Sequence, residues 1–168
     1  VDELTAQAWL ADMHAHAPDY HDQAIKQFED ILQQDAGNVV ANRALGHLYL
    51  RDGNFDKAAV LFRHASLKDP KDAELHYLIA LLMNREAMKA GSKPENATLM
   101  ENELQQAIEL DPTLADAYNL LAFAQASEGK YADAIDAQKK AIELNPSLEI
   151  YQSNLARVYL QAQQWDDA

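Results

Sequence analysis

Three histidines and two aspartates crowd the start of the chain: Asp12, His14, His16, Asp19 and His21. Imidazole and carboxylate are the ligand types that a divalent metal takes. On a helix, however, paired ligands need i, i+3 or i, i+4 spacing to share a face. His14 and His16 are two apart and point to different faces, and Pro18 breaks the run before His21. Surface histidines account for the cluster, and no metal site is assigned. Other chemistry is missing too. Cysteine is absent, which removes thiolate nucleophiles, disulfides and Cys-ligated metals. No G-x-S-x-G elbow, glycine-rich phosphate loop or H-E-x-x-H helix occurs. Asp69, Asp111 and Asn145 each precede a proline, a context that ends helices. No catalytic residue and no cofactor is assigned, so the chain reads as a non-enzyme.

The balance of charge narrows the partners. Twenty-seven acidic side chains oppose 14 basic ones across 168 residues, a net charge of −13. That balance disfavours nucleic acid and anionic membrane as main partners, and it keeps a helical surface in solution. No apolar run approaches the ~18 residues that span a bilayer. No targeting segment is visible at Val1, although a trimmed protein would have lost one. The chain is expected to be soluble, and the residues leave its compartment open.

What positions any functional side chain is a repeat. In residues 39–72, Leu45-Gly46 is followed by Tyr49, Gly53-Asn54-Phe55, Ala58, Phe62, Ala65 and Pro70. Small residues stand where two helices must touch: Gly46 on the first, Ala58 and Ala65 on the second. Leu45, Tyr49, Phe55 and Phe62 fill the space around them. Gly53-Asn54 marks a turn between two helical patterns. Residues 115–148 repeat this unit at the same length, without a gap: Leu121-Ala122, Gly129-Lys130-Tyr131, Ala134, Ala141 and Asn145-Pro146. They depart from it at Gln125 and Gln138, where aromatics would be usual. Residues 4–38 form a degenerate first unit, with Leu10-Ala11, a Pro18-Asp19-Tyr20 turn, and Ala24, Phe28 and Ile31 on its second helix. Residues 73–114 form a third unit with an eight-residue extension, capped at Asp72 and carrying Ile79-Ala80. Residues 149–168 begin a fifth unit, with Ser147 as candidate cap, and hold Leu155-Ala156, Tyr159, Trp165 and Ala168.

A helix–turn–helix unit of this length, with small, large and turn residues at these positions, resembles the tetratricopeptide repeat (TPR). The resemblance implies an all-α fold: a right-handed α-solenoid of TPR-like repeats, read here as a single array over residues 1–168 with nine near-complete helices. It further implies that the first helix of each unit lines a concave groove. Carried over position by position, the groove residues are Arg43, His47 and Arg51; Tyr77, Leu81, Asn84 and Arg85; Asn119 and Phe123; and Ser153 and Arg157. Four arginines in an acidic chain, with Tyr77, Leu81 and Phe123, suit a peptide carrying acidic and hydrophobic anchors. One subset of the family grips a terminal carboxylate with Lys and Asn at fixed groove positions. Arg43 and His47 stand there in this chain, so it is not assigned to that subset.

The expected function is therefore non-catalytic: an interaction module or scaffold that holds a peptide or partner helix in its groove. The alternative is an accessory or assembly region of a larger multidomain protein, an enzyme among the options, whose catalytic domain lies elsewhere. Two local expectations follow. The extension should lengthen both helices of the third unit, to about 73–90 and about 94–110, with Met83, Met88 and Met100 as fillers. The last unit stops just inside its second helix, so Leu155, Tyr159 and Trp165 should favour self-association at that end.

Overall fold

The computed structural model describes residues 20–89 and 97–166. Eight helices and no strand occur among these residues: α1 (His21–Gln34), α2 (Val39–Arg51), α3 (Phe55–Lys68), α4 (Ala73–Lys89), α5 (Ala97–Leu110), α6 (Ala115–Ser127), α7 (Tyr131–Leu144) and α8 (Glu149–Asp166). The first helix expected in residues 4–38 lies outside the described residues. So do His14, His16, the Gly91-Ser92-Lys93 turn and Pro94. Two compact units divide the chain, Val1–Leu78 and Ile79–Ala168.

Within the first unit α2 packs on α1 and on α3. The α2–α3 contact is built on a size match. Phe62 of α3 is fully buried, and its ring lies over Gly46 of α2. A β-carbon at Gly46 would stand 2.6 Å from the ring edge, inside any tolerable contact. Ala58 and Ala65, also fully buried, let the α3 backbone come close. The turn between the two helices needs a left-handed residue, and Gly53 supplies it at φ 76°. The amides of Gly53 and Asn54 then donate to the carbonyls of Leu50 and Tyr49, which satisfies the end of α2.

In the second unit α6 packs on α5 and α7, and α7 packs on α8. Gly129 repeats the turn at φ 80°, with Lys130 N–H donating to the Gln125 carbonyl at 2.9 Å. Its core is lined with alanine: Ala117, Ala122, Ala124, Ala134 and Ala141 are all fully buried.

The loops after the proline-terminated helices share one device. In each, the side-chain oxygen of the residue before proline accepts from two positions on. Asp69 takes the Lys71 amide, Asp111 takes the hydroxyl and amide of Thr113, and Asn145 takes the Ser147 hydroxyl. The Thr113 hydroxyl, then its amide, hold the Asp111 carboxyl below its usual range. This corrects the reading of Ser147: its hydroxyl points back to Asn145 and does not cap α8. Asp72 does cap α4, accepting from the amides of Glu74 and Leu75.

The α4 helix has 17 residues against 13 in α2 and α6, one turn more. Met100 on α5 is fully buried, whereas Met88 near the end of α4 is 65% exposed. Met88 is therefore no core filler; its sulfur meets Asn84 of its own helix.

Candidate functional site

The expected groove residues lie on the first helix of each repeat, and each unit arranges its own. In the first unit, Arg43 sits between two acids at the start of α4, its cap Asp72 and Glu74. It reaches Asp72 at 2.8 Å and also bonds Glu74. His47, one turn on, packs edge-on against Phe62 with ring centres 5.2 Å apart, and lies 3.8 Å from Glu74. Arg51 is exposed and donates to Nδ1 of His21, whose Nε2–H donates to Asp52 at 2.9 Å. Thus His21 joins α1 to the end of α2. Among the described residues no three His, Asp or Glu side chains gather to hold a metal. Tyr77 is half-buried.

Leu81, Asn84 and Phe123 are half-buried in the second unit, and Arg85 is exposed. Asn84 Nδ2 contacts the Met88 sulfur at 3.8 Å, and its Oδ1 is buried without a hydrogen bond. Asn119 proves to be a structural junction. Its Oδ1 accepts from Gln138 at 3.1 Å and from Asn154 at 2.8 Å, tying α6 to α7 and α8. Gln138 is itself almost fully buried and also donates to the Tyr151 carbonyl at 3.0 Å. Ser153 bonds the Glu149 carbonyl of its own helix, and exposed Arg157 donates to Asn154 at 3.1 Å. Sequence reasoning missed this amide network, though one signal was visible: Gln138 occupies an aromatic position.

Two further polar clusters lie away from these faces. Tyr49 of α2 is buried, and its hydroxyl donates to Glu29 of α1 at 2.6 Å. Lys57 lies 4.6 Å above the same ring, within cation–π range. Burial first, then the Glu29 hydrogen bond, pushes the Tyr49 phenol up to about 12. In the second unit Lys130 reaches Glu101 at 2.8 Å and Glu128 at 2.6 Å. The Glu101 hydrogen bond, then that of Glu128, holds the ammonium above its ordinary pKa. Glu101 is only 7% exposed, so this pairing is what lets a carboxylate sit inside the helix contact.

No helix among the described residues is long and apolar enough to cross a membrane. The faces can form hydrogen bonds, ion pairs and apolar contacts; no nucleophile–base pair is assembled on them among the described residues.

Comparisons with known proteins follow the repeat. Family models of the tetratricopeptide repeat match residues 16–82 and 103–136. Tetratricopeptide repeat protein 21B of Mus musculus is 29% identical over 152 residues, covering 88% of this chain and 11% of that protein. This chain spans about a tenth of the length of such curated relatives. The crystal structure of MamA protein is similar at a TM-score of 0.80 and 24% identity, covering 98% of this chain and 86% of that one. YrrB, a TPR protein with an unusual peptide-binding site, is similar at a TM-score of 0.77 and 18% identity, covering 94% and 76%. The fold is that of an α-solenoid of helical repeats.

Proposed function

Because this chain belongs to the tetratricopeptide-repeat family, we propose that it is a non-catalytic protein-interaction module whose first-helix faces bind a peptide or partner helix. The observation that carries this reading is the concentration of cations on those faces in a chain of net charge −13. In the first unit Arg51 is exposed on such a face and Tyr77 is half-buried; in the second Arg85 and Arg157 are exposed, and Leu81 and Phe123 are half-buried. Arginine with apolar neighbours suits a partner that offers carboxylates and hydrophobic anchors. Arg43 is already engaged, so an incoming carboxylate would exchange with Glu74. Glu74 is 46% exposed at its side chain, against 12% for Asp72, and is the easier of the two to displace. YrrB, of the same fold, is a TPR protein with an unusual peptide-binding site, which supports a peptide as the kind of partner.

Selection from a displayed random-peptide library should enrich acidic sequences with hydrophobic anchors. The doubly charge-reversed variant Arg43→Glu/Arg85→Glu should bind the selected peptide at least tenfold more weakly with an unchanged helical spectrum. Equal affinity, with equal salt dependence, would remove the arginines from the reading.

The small share of its relatives that the chain spans favours a second reading, in which the repeats serve as an accessory or assembly region of a longer, multidomain protein. Binding that appears only with the longer gene product would support it. Self-association through α8 belongs to the same proposal. Ile150, Tyr159 and Leu160 are 55%, 41% and 63% exposed, while Leu155 is half-buried and the Trp165 side chain lies outside the described residues. Sedimentation at rising concentration should show a dimer that Leu160→Lys removes; a monomer throughout would refute it.

A further inference from the structure

We propose a second binding groove in the first unit, between α1 and α3, that takes an aliphatic side chain flanked by a basic residue. It is independent of the arginine-bearing faces and opposite to them in charge preference. Leu45, Tyr49, Val60 and Leu61 line a shallow groove of about 500 Å³, and Glu29, Asp56 and Lys57 stand around it. That volume is ample for an aliphatic side chain.

The groove is not a general consequence of the fold. The matching hairpin of the second unit places Gln125, Asp136 and Ala137 where this one has Tyr49, Val60 and Leu61. Of these two hairpins this one presents an apolar floor, and Val60 leaves half its surface in water. A lone exposed valine is ordinary; one set beside a buried aromatic and two leucines is not.

The charge of the rim selects the occupant. Lys57 is held over the Tyr49 ring, with its ammonium 3.5 Å from the Tyr49 hydroxyl. Its ammonium is thereby engaged with the Tyr49 ring and hydroxyl, and Glu29 and Asp56 are the two carboxylates of the rim. Asp56 is exposed, with no cation bridged to it among the described residues. Asp52 adds to the negative field that the Tyr49 phenol feels. An acidic peptide would meet Glu29 and Asp56 head on, whereas Lys or Arg beside an aliphatic anchor would complement them. The floor is held in place before binding, since the Tyr49–Glu29 bond fixes the ring across α1 and α2. A preset floor lowers the ordering cost of binding.

The test is a titration of the ¹⁵N-labelled chain with two synthetic peptides, acetyl-Lys-Leu-Leu-Lys-amide and acetyl-Glu-Leu-Leu-Glu-amide. The basic peptide should shift the amides of Tyr49, Val60 and Leu61. Acidic peptide should leave them in place. Val60→Lys would set a like charge over the floor from an exposed site, and Asp56→Lys would reverse the rim. Each should weaken the basic peptide by tenfold or more while the spectrum stays folded. Equal response to both peptides, no response at α3, or unaltered binding by both variants would overturn the proposal. Shifts by the acidic peptide at Arg43 and Arg85 report on the other faces and leave this groove to be judged by its own amides.

Discussion

The hairpin α2–α3 and the hairpin α6–α7 have the same lengths, 13 and 14 residues, and the same turn glycine, yet they are held by different physics. In the first, a fully buried phenylalanine lies over a glycine. The second places Ala122 and Gln138 at these two positions. The exchange conserves space: a methyl is added on one helix where the ring is lost from the other. It does not conserve chemistry. Gln138 brings an amide into the core, and that amide must be satisfied, which it is by Asn119 and the Tyr151 carbonyl. The apolar pair asks nothing of the next helix. The amide pair requires α8. One repeat architecture thus tolerates either a self-sufficient contact or one completed by its neighbour.

The largest way to break this comparison is Phe62→Ala, which should cost about 3–5 kcal/mol. Urea unfolding, followed through amide exchange in α2 and α3, measures it; a loss below about 1 kcal/mol would mean that the ring is not what joins these helices. Gly46→Ala sharpens the point, because helix propensity alone favours alanine by about 1 kcal/mol. Here the added methyl would strike a ring with no free space, and overpacking should cost about 1–3 kcal/mol net. The reverse change, Ala122→Gly, should also destabilise, by about 1 kcal/mol from propensity and lost contact. Stabilisation by either would sink the size-match argument.

Gln138→Leu keeps the volume and removes the amide. It should cost about 1–3 kcal/mol, by removing two hydrogen bonds that join α7 to α6 and α8. The telling readout is faster amide exchange in α8, an effect with no counterpart when Phe62→Leu is made in the other hairpin.

Tyr49 against Gln125 gives a smaller, pH-dependent contrast. The folded phenol is raised from its ordinary 10.0 to about 12. Since the folded value lies above the unfolded one, its contribution is complete below pH 10.0 and is lost as pH rises toward about 12. Tyr49→Phe should flatten the stability of the first unit across that window, as followed by urea midpoints; an unchanged slope would show that the phenol is not buried against Glu29. The least effect belongs to the Arg43–Glu74 pair, whose half-exposed side chains should contribute only about 0–1 kcal/mol to stability.

Much of this was legible from residue type and spacing. Period, turn glycines and proline stops placed α2, α3, α6 and α7, because small residues are needed wherever two helices approach and left-handed turns need glycine. Asp72 was readable as a cap from its place before an apolar run. The site was less legible. Position on the first helix says which face a side chain occupies, not what it meets there. Arg43 finds Asp72 and Glu74, about one repeat later, and Asn119 finds Gln138 and Asn154. Such partners depend on how successive helices stack, which side-chain periodicity does not encode. Ser147 and Met88 failed for local reasons: a nearer acceptor for the hydroxyl, and an exposed position near the end of α4.

The central claim is that the first-helix faces bind the partner. Amide shift mapping of the labelled chain with the library-selected acidic peptide tests it most directly. Shifts are expected on the first helices: around Arg43 and Tyr77 for binding to the first unit, and around Arg85 and Phe123 for binding to the second. Shifts confined to the second helices α3, α5 and α7 would contradict it.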